Sequence, residues 1–423
     1  MIPYIIYFIV SIFLEFIIII LSIFNVKIRK NYYNSYKQFF DLFNNLKNIQ
    51  GKKIILLHAA SAGEFEQLQP ILRQIDRKKY FIIQSFTSPT IYEISHSENL
   101  FDYKCYHPFD IFWISYLFFK ILKPEKYIIT RHDLWPGHIL NAKRLKIPIY
   151  YINANIHKNS IWINPIIKTF SKVIFKKIDL CIVPSQTIKK NLSSIMTEDK
   201  IIILPDTRFS QVYDRSIMNK KINYFFKNIN DSNNIIFGSY DSKDEKIIYN
   251  TLLKMYPEGK KSLIHNNHRI ILVPHEINLK LINNLIERLK RNNFSTQLYS
   301  TLKNQAIKDN IIIVDCVGIL ADLYKYASLA YIGGGFTRGV HSVLEPGVHG
   351  CAVVYGPNIE MLDELKEINK LDLGTMVYND KDLLKVLKTS LEKIKTQGLE
   401  LKGFISNKRN AANKMLTTIE QNI

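Results

Sequence analysis

The chain has 423 residues and a formal net charge of +20. That length exceeds what one hydrophobic core ordinarily supports, so two domains of roughly 150–200 residues are expected. Because 47% of its residues are apolar, wholesale disorder is excluded. The basic charge invites a nucleic-acid partner, but the lysines are scattered and no helix-turn-helix, zinc-knuckle or arginine-rich signature accompanies them. We therefore predict no nucleic-acid binding, and an anionic lipid surface or an anionic substrate as the partner of the basic side chains.

The cysteines are few and lie far apart in the sequence. Their spacing matches neither a zinc site nor a dense disulfide framework. It favours a reducing compartment in which the thiols are buried. The four are Cys105, Cys181, Cys316 and Cys351.

The N-terminus is predicted to be a membrane anchor. Ile2 to Phe24 is almost entirely apolar and about as long as a bilayer core is thick. The run lacks a basic leader and a small-residue cleavage site, which argues against a cleaved signal peptide. Lys27, Arg29 and Lys30 follow at once, so the positive-inside rule places the rest of the chain in the cytoplasm. Glu15 is costly within a membrane, and it either pairs in an oligomer or indicates a helix that lies in the interface.

Composition and periodicity divide the sequence into six predicted segments. These are the anchor (1–26), a basic and aromatic linker (27–50), a first domain (51–205), an interdomain linker (206–234), a second domain (235–390) and a C-terminal helix (391–423).

Both domains alternate short apolar runs with helical patterns, which predicts parallel sheets joined by right-handed crossovers. Two doubly wound halves of similar size usually bind a ligand in the cleft between them, at the carboxyl ends of the strands. The predicted strands are Lys53–Leu57, Tyr80–Ser85, Lys126–Thr130, Ile147–Ile152 and Leu180–Val183, then Ile235–Gly238, Arg269–Val273, Ser295–Tyr299, Ile311–Val314, Leu329–Ile332 and Ala352–Tyr355.

The seven residues His58–Glu64 are the first candidate site. They follow an apolar run and precede a helical pattern, which predicts a strand, a loop of small residues and a helix start. Small residues, among them Gly63, let a ligand approach the backbone, and N–H groups at a helix start favour an anionic neighbour. The structural alternative is that Ser61 caps the helix and Glu64, three residues on, closes a capping box.

Two further turns lead from a strand into a helix. Thr130–Gly137 contains Asp133, which is either a helix cap or a second acid facing the ligand. Gly238–Glu245 in the second domain is either a plain capped helix start or a phosphate-facing turn.

The stretch Tyr331–Asn358 is the most specific. It reads as strand, glycine triplet, loop, helix, strand and turn. The triplet permits a backbone close to a ligand. Gly339–Ser342 is predicted to open a short helix whose N-terminus can meet a phosphate, with Glu345 one turn inside to accept ribose hydroxyls. The spacing excludes a dinucleotide-binding G-x-G-x-x-G, and a purely structural triglycine bend is the alternative.

These motifs together resemble a known family. The glycine triplet, His-Ser, Leu-Glu-Pro and Gly-Pro-Asn of 333–358 resemble the nucleotide-sugar half of the GT-B glycosyltransferases. The motifs at 58–64, 133–136 and 147–155 look like those of the 3-deoxy-D-manno-octulosonic acid (Kdo) transferases of lipopolysaccharide assembly, which also carry an N-terminal anchor. The resemblance covers residue 1 to about 360 in order. It implies an α/β GT-B fold of two doubly wound Rossmann-like domains facing a cleft, the first binding the acceptor and the second CMP-Kdo.

The resemblance implies an inverting transfer of Kdo from CMP-Kdo to the lipid A precursor (lipid IVA), without a metal or other cofactor, on the cytoplasmic face of the inner membrane. Glu64 matches the family's base, which takes the acceptor hydroxyl's proton. Asp133 is the second candidate catalytic carboxylate, with a helix cap as its alternative. A helix N-terminus lowers the pKa of a carboxyl and apolar surroundings raise it, so the pKa of Glu64 stays open here. The substrate- and nucleotide-binding candidates are Ser61, Gly63, Arg131, Ser239, Pro274, His275, Gly333, Gly334, Gly335, His341, Ser342, Glu345 and Asn358.

The chain departs from the family pattern at two places. Many relatives have an acid before Asp-Leu-Trp-Pro, where this chain has Arg131 and His132. Arg131 is a candidate for binding an acceptor phosphate or the Kdo carboxylate. Many relatives also have Pro-Arg-His in the second domain, where this chain has Val273-Pro274-His275. Either His275 or another cation takes the arginine's role, or His275 is an ordinary loop residue.

Two other classes of protein remain open. One is a different GT-B enzyme or a sugar-nucleotide epimerase that uses a uridine donor. The other is a membrane-tethered, non-enzymatic protein that binds nucleic acid or anionic lipid through its positive charge. The anchor and the Glu64 loop count against the first, and the second leaves both sets of motifs unexplained.

Overall fold

A computed structural model of the chain describes residues 2–46, 49, 51–95, 100–218, 233–303, 307–360 and 362–422. The chain divides into two compact units. Unit 1 comprises Met1–Gln211 and Asn410–Ile423, and unit 2 comprises Val212–Arg409.

Fourteen strands form within the described residues. They are β1 Lys53–Ala59, β2 Tyr80–Phe86, β3 Tyr103–Tyr106, β4 Lys126–Thr130, β5 Ile149–Ile152, β6 Leu180–Val183, β7 Ile201–Ile203, β8 Asn233–Tyr240, β9 His268–Pro274, β10 Thr296–Leu298, β11 Ile311–Ile313, β12 Leu329–Ile332, β13 Ala352–Tyr355 and β14 Thr375–Met376.

The α-helices of the described residues, in chain order, are α1 Ile2–Phe24, α2 Val26–Leu46, α3 Ala62–Leu72, α4 Pro89–Ile94, α5 Phe112–Leu122, α6 Pro136–Arg144, α7 Lys168–Phe175, α8 Gln186–Leu192, α9 Arg208–Ile217, α10 Ser242–Met255, α11 Lys260–His265, α12 Leu279–Arg291, α13 Leu320–Leu323, α14 Leu344–Val348, α15 Asp363–Lys370, α16 Asp380–Leu387, α17 Leu391–Asn407 and α18 Ala411–Gln421. Short 3₁₀ turns lie at Ile161–Ile163, Glu198–Lys200, Tyr299–Lys303 and Tyr324–Tyr326.

Each unit is built on a seven-stranded sheet with parallel pairing throughout. The strand order is β3-β2-β1-β4-β5-β6-β7 in unit 1 and β10-β11-β9-β8-β12-β13-β14 in unit 2. Successive residues of β1 enter different apolar clusters, Ile54 and Leu56 on one face of the sheet and Ile55 and Leu57 on the other. A parallel strand covered on both faces needs such a continuous apolar run. The prediction of two doubly wound α/β domains is confirmed.

The sequence missed three strands, and all three lie at a sheet edge. They are β3 and β7 of unit 1 and β14 of unit 2. Edge strands are short and pair on one side only. β3 and β14 lack an apolar run, and β7 has one of only three residues, Ile201–Ile203.

The segment predicted as a linker, 27–50, is mostly the helix α2. It packs on the edge strand β3, where the Gln38 side chain donates to the carbonyl of Tyr106 at 2.8 Å and accepts the Tyr106 N–H at 2.7 Å. The amide of Asn31 donates to the carbonyl of Thr87 at 2.7 Å. Helix α2 is therefore part of unit 1, and it covers backbone groups that an open sheet edge would expose.

Two other predicted segments also differ from the structure. Arg208–Ile217, the first part of the predicted interdomain linker, is the helix α9, and residues 219–232 lie outside the described residues. The predicted single C-terminal helix, 391–423, is two helices, of which α17 belongs to unit 2 and α18 to unit 1. The side chains of Met415 and Ile419 on α18 are buried in a core cluster of unit 1.

Candidate functional site

The predicted carboxylates of unit 1 lie where its strand order reverses. From β1 the chain crosses to β2 on one side, whereas β4 pairs with the other side of β1. The loops that follow two such strands run to opposite faces of the sheet. A crevice therefore forms between them, at the carboxyl ends of the strands. Glu64 is in the first turn of α3, directly after β1, and Asp133 follows directly after β4.

Glu64 is a buried carboxyl at a helix start. Ser61 is the N-cap of α3 and accepts the N–H of Glu64 at 3.4 Å, while the Glu64 carboxylate turns back to the N–H of Ala60 at 2.7 Å. The capping-box alternative is therefore only partly correct: Ser61 caps the helix, but the Glu64 carboxylate accepts the N–H of Ala60 instead of that of Ser61. Burial raises the pKa of Glu64, although the Ala60 hydrogen bond and the neighbouring His58 lower it. Desolvation thus outweighs the helix terminus.

Asp133 has a contrasting environment. Its Oδ2 lies 2.8 Å from Nε2 of His58 and accepts the hydroxyl of Thr87 at 2.6 Å. Burial alone would raise the pKa of Asp133, but the hydrogen bond and charge of His58, with the Thr87 hydrogen bond, bring it below its ordinary value. Asp133 is therefore an ionised carboxylate held by hydrogen bonds to His58 and Thr87, rather than a plain helix cap.

The two carboxyls thus have opposite electrostatic environments. The Glu64 carboxyl is desolvated and its pKa is raised, whereas the Asp133 carboxyl is hydrogen-bonded and its pKa is lowered. Gly63 beside them is exposed, and a Cβ there would meet no atom within 4 Å. Packing therefore gives no reason for a glycine at this position, whereas close approach of a ligand would.

Sequence reasoning missed a column of three buried histidines behind these carboxyls. The ring centroids of His58 and His107 lie 3.8 Å apart, and those of His107 and His138 lie 4.2 Å apart. Burial, with the neighbouring His58 and His138, holds the pKa of His107 well below its usual range. Nδ1 of His138 lies 2.8 Å from a carboxylate oxygen of Asp110. The column connects Asp133 to the buried carboxylate of Asp110. In the sequence, the only indication of this column was the position of His58 near the end of a predicted strand.

Cationic side chains gather near Glu64. Arg131 has a left-handed backbone (φ 64°), a conformation that costs a residue other than glycine about 1–3 kcal/mol. Its charge lowers the pKa of Glu64, and together with Arg208 it lowers the pKa of the fully buried Asp206, which burial alone would raise. Nε of Arg208 lies 3.4 Å from Asp206. Arg208 lies in the segment predicted to be a linker, and no local pattern identified it.

In unit 2 the equivalent reversal lies between β8 and β12. A cavity of about 460 Å³ opens at the carboxyl ends of the strands. Of the predicted residues, Pro274, His275, Gly334 and His341 line it. The imidazoles of His275 and His341 stack with centroids 4.6 Å apart, and burial lowers the pKa of His341. Arg338, which sequence reasoning did not single out, also lines the cavity and provides it with a permanent cation.

The glycine triplet has a structural reason at each position. A Cβ on Gly333 would lie 2.2 Å from the carbonyl oxygen of Ser239, and one on Gly335 would lie 2.6 Å from the backbone of Gly356. Gly334 has φ 86°, and a Cβ there would lie 2.4 Å from a carbonyl oxygen. The structural alternative therefore accounts for all three glycines, and Gly334 also forms part of the cavity wall.

The turn before α10 is a capped helix start. Asp241 accepts the N–H groups of Lys243 and Asp244, and Asp244 accepts the N–H of Asp241, which closes a capping box. The Asp244 carboxylate also accepts the N–H of Gly334 at 2.7 Å. The structural reading of this turn is thus confirmed, since its own carboxylates occupy the helix start. Ser239, with a left-handed backbone, does not line the cavity.

The loop after the triplet also differs from prediction. The predicted helix start at Gly339–Ser342 is wrong, because α14 begins at Leu344. Ser342 lies in the preceding loop, and Glu345 lines a separate cavity of about 40 Å³ with Arg215. The Asn358 amide donates to the carbonyl of Thr337 at 2.9 Å and so braces the glycine loop. The structure therefore does not bring these three predicted ligands to the cavity of His275.

Solved structures with the same architecture include a UDP-GlcNAc 2-epimerase from Neisseria meningitidis, with a TM-score of 0.61 and 14% identity over 87% of this chain and 100% of that one. A glycosyltransferase from Rickettsia africae ESF-5 has a TM-score of 0.58 and 14% identity over 88% of this chain and 97% of that one. At these identities the likeness shows the fold alone. The two doubly wound units and these neighbours define a GT-B fold.

Sequence comparison finds similarity to one family of transferases. Residues 30–211 match the family model described as 3-deoxy-D-manno-octulosonic-acid transferase. A 3-deoxy-D-manno-octulosonic acid transferase of Aquifex aeolicus (strain VF5) is 28% identical over 378 residues, which are 87% of this chain and 95% of that protein. One from Chlamydia muridarum is 24% identical over 84% of this chain and 82% of that protein. Residues 30–211 therefore match the Kdo transferase family, and the chain is similar over most of its length to glycosyltransferases of that family.

Proposed function

We propose that this protein transfers Kdo from CMP-Kdo to a hydroxyl of the lipid A precursor (lipid IVA), with inversion at the anomeric carbon and without a metal. The observation that carries the proposal is Glu64. It is a buried carboxyl with a raised pKa at a strand end, within the residues that match the transferase family.

The proposed step follows from the chemistry of an inverting transfer. The Glu64 carboxylate takes the proton of the acceptor hydroxyl while that oxygen attacks the anomeric carbon of Kdo. The bond from this carbon to the CMP phosphate breaks, and its electron pair leaves with the phosphate. Asp133, held by His58 and Thr87, is a positioning residue that fixes the strand ends around the base. Arg131 and Arg208 supply positive charge for an anionic group of either substrate.

The donor is assigned to unit 2. Its cavity is lined by His275, His341 and Arg338. Negative charge develops on the departing phosphate, and a cation or hydrogen-bond donor must be in place to stabilise it before the bond breaks. Because the pKa of His341 is lowered, this imidazole carries little charge at neutral pH. Arg338 is therefore our candidate for the cation that occupies the role of the arginine found in many relatives.

Attachment to the inner membrane, with the catalytic units on its cytoplasmic face, is part of the proposal. Tyr4–Phe24 is long and apolar enough to cross a membrane, and only 17% of its most apolar window is buried within the protein. The basic residues Lys27, Arg29 and Lys30 follow in α2. The acceptor's acyl chains require an enzyme at a membrane surface.

The proposal is tested by transfer of Kdo from an in situ supply of CMP-Kdo to the tetra-acylated lipid A precursor, with mass spectrometry of the lipid. We expect Kdo-containing product, including in the presence of a chelator. Binding of CMP-Kdo without product would show that the acceptor is wrong. Absence of CMP-Kdo binding, with turnover of a uridine-linked sugar, would replace the proposal with the uridine-donor alternative.

Replacing Arg338 with alanine is expected to raise the KM for CMP-Kdo by roughly 10–100-fold, because a charge-assisted hydrogen bond contributes about 1.5–3 kcal/mol. Arg338→Lys is expected to recover part of the loss, since the charge is kept and the bidentate geometry is not. Steady-state kinetics with the donor varied measures the effect. Arg291→Ala, an exposed arginine on α12, is the matched control. An equal change in both alanine variants would contradict the assignment.

A further inference from the structure

The outer face of α1 is apolar from Ile5 to Phe24. Within residues 4–24, whose side chains the structure describes, every exposed residue is Ile, Phe, Val or Leu. A continuous surface of this kind exceeds the apolar patches that water-exposed proteins carry and indicates a hydrocarbon partner. The exposed residues are Ile5, Ile6, Phe8, Ile9, Val10, Ile12, Phe13, Phe16, Ile17, Ile19, Ile20, Leu21, Ile23 and Phe24.

The inner stripe of the same helix is built into unit 1. The hydroxyl of Tyr7 donates to the Asp110 carboxylate, and Oγ of Ser11 accepts the N–H of Phe112 at 3.0 Å. Ser11 is fully buried and Tyr7 is 8% exposed. Asp110 also accepts the N–H groups of Gly137 and His138 at 3.0 Å each. The N-terminal half of α1 thus shares a buried carboxylate with the start of α6.

These contacts are incompatible with a helix that crosses a bilayer. With Phe24 at the cytoplasmic surface, Tyr7 would lie 17 residues away, roughly 25 Å into the membrane at 1.5 Å per residue. Asp110 would have to lie at that depth too, and so would Lys177, whose Nζ is 5.5 Å from the Tyr4 ring. Charged groups are rare and costly at such depth, and α5, with 11 residues, is too short to span it beside α1.

Glu15 has its partners within the chain. Its carboxylate accepts the hydroxyl of Tyr36 at 2.5 Å and that of Tyr32 at 3.1 Å, both from α2. The polar group that makes a spanning helix costly is therefore satisfied at the contact between α1 and α2, without an oligomer. The exposed Lys27 and Arg29 begin α2, where cations meet the anionic headgroups of a membrane surface.

We propose that α1 lies along the membrane, with its exposed face among the acyl chains of one leaflet, and that both of its ends stay on the side that carries the rest of the chain. The inference rests on the proposed membrane attachment and replaces a spanning anchor with an in-plane helix. Such a helix keeps unit 1 at the depth of the headgroups, where the proposed acceptor presents its polar part.

The full-length protein tests this through a cysteine placed before Met1 and a second at the exposed Lys395 of α17, each in a separate variant. Inverted and right-side-out inner-membrane vesicles are labelled with a membrane-impermeant maleimide. We expect both cysteines to be labelled in the inverted vesicles only. Labelling of the N-terminal cysteine in right-side-out vesicles alone would overturn the inference. Kdo transfer in the same inverted vesicles reports separately on the proposed function.

A matched pair of variants separates docking from membrane contact. Tyr7→Phe removes the hydroxyl that reaches Asp110 and is expected to lower the thermal midpoint of the detergent-solubilised protein while vesicle binding stays. Phe13→Ser, at a side chain 66% exposed, is expected to weaken binding to anionic vesicles several-fold with an unchanged midpoint. A Tyr7→Phe variant with an unchanged midpoint would mean that α1 is a detachable tether. The protein could instead self-associate through the face that contains Phe13. If Phe13→Ser abolished self-association but left vesicle binding unchanged, that face would bind a second copy of the chain, and the proposal would be overturned.

Discussion

Replacing Glu64 with glutamine lowers the kcat of Kdo transfer by about 10²–10⁴-fold, the range in which a positioned general base contributes. Glutamine has the shape of glutamate and can still accept the N–H of Ala60, which Glu64 accepts at 2.7 Å. The helix start is therefore preserved and only the proton acceptor is lost. Product formation measured by mass spectrometry, beside a thermal midpoint, distinguishes a lost base from a lost fold.

Glu66→Gln is the matched control for that variant. Glu66 lies on the same helix two residues on, is exposed, and accepts a 3.3 Å hydrogen bond from Gln211. We expect unchanged transfer. Equal losses in Glu64→Gln and Glu66→Gln, or full activity in Glu64→Gln, would remove Glu64 from the chemistry while leaving the family assignment intact.

The pH dependence of transfer provides a second signature of the base. A carboxylate base is active when ionised, so the rate rises as pH increases through its pKa. Because burial raises the pKa of Glu64 from its ordinary 4.5, the midpoint of the acid limb is expected above that value. His58 lowers the pKa of Glu64 and of Asp133, so His58→Asn is expected to move the limb to higher pH. A limb at or below 4.5 would contradict the assignment.

Asp110→Ala is expected to destabilise the protein by several kcal/mol, since each buried donor left without an acceptor costs on the order of 1–3 kcal/mol. The side chain of Asp110 is 3% exposed and holds the fully buried His138 at 2.8 Å, two N–H groups at the start of α6, and the hydroxyl of Tyr7. Without the carboxylate these donors are buried and unsatisfied. The thermal midpoint should fall by on the order of 10 °C.

Glu93→Ala is the control for Asp110. Glu93 is 52% exposed and pairs with Lys30 at the surface, where screening by water and salt leaves little net stabilisation. We expect no measurable change in the thermal midpoint. If Asp110→Ala changed the midpoint no more than Glu93→Ala, the buried network joining α1, α6 and the histidine column would not contribute to stability.

The sequence by itself determined the central strands of both sheets, the order of the motifs and the resemblance to the Kdo transferases. Each of these depends on neighbours a few residues apart. An apolar run such as Ile54–Leu57 has to be a covered parallel strand, and the small loop after it places Glu64 at a strand end. Local pattern is sufficient there because the physical requirement is itself local.

Only the tertiary structure decided the chemistry of the site. His58 and Asp133 are separated by 75 residues and Tyr7 and Asp110 by 103, so no local pattern links them. Burial raises the pKa of Glu64 above what its helix start alone would give, and burial is a property of the packed unit. The same reason explains why α1 reads as a membrane span in sequence, since composition records that a helix is apolar but not that Tyr7 and Ser11 are held by unit 1.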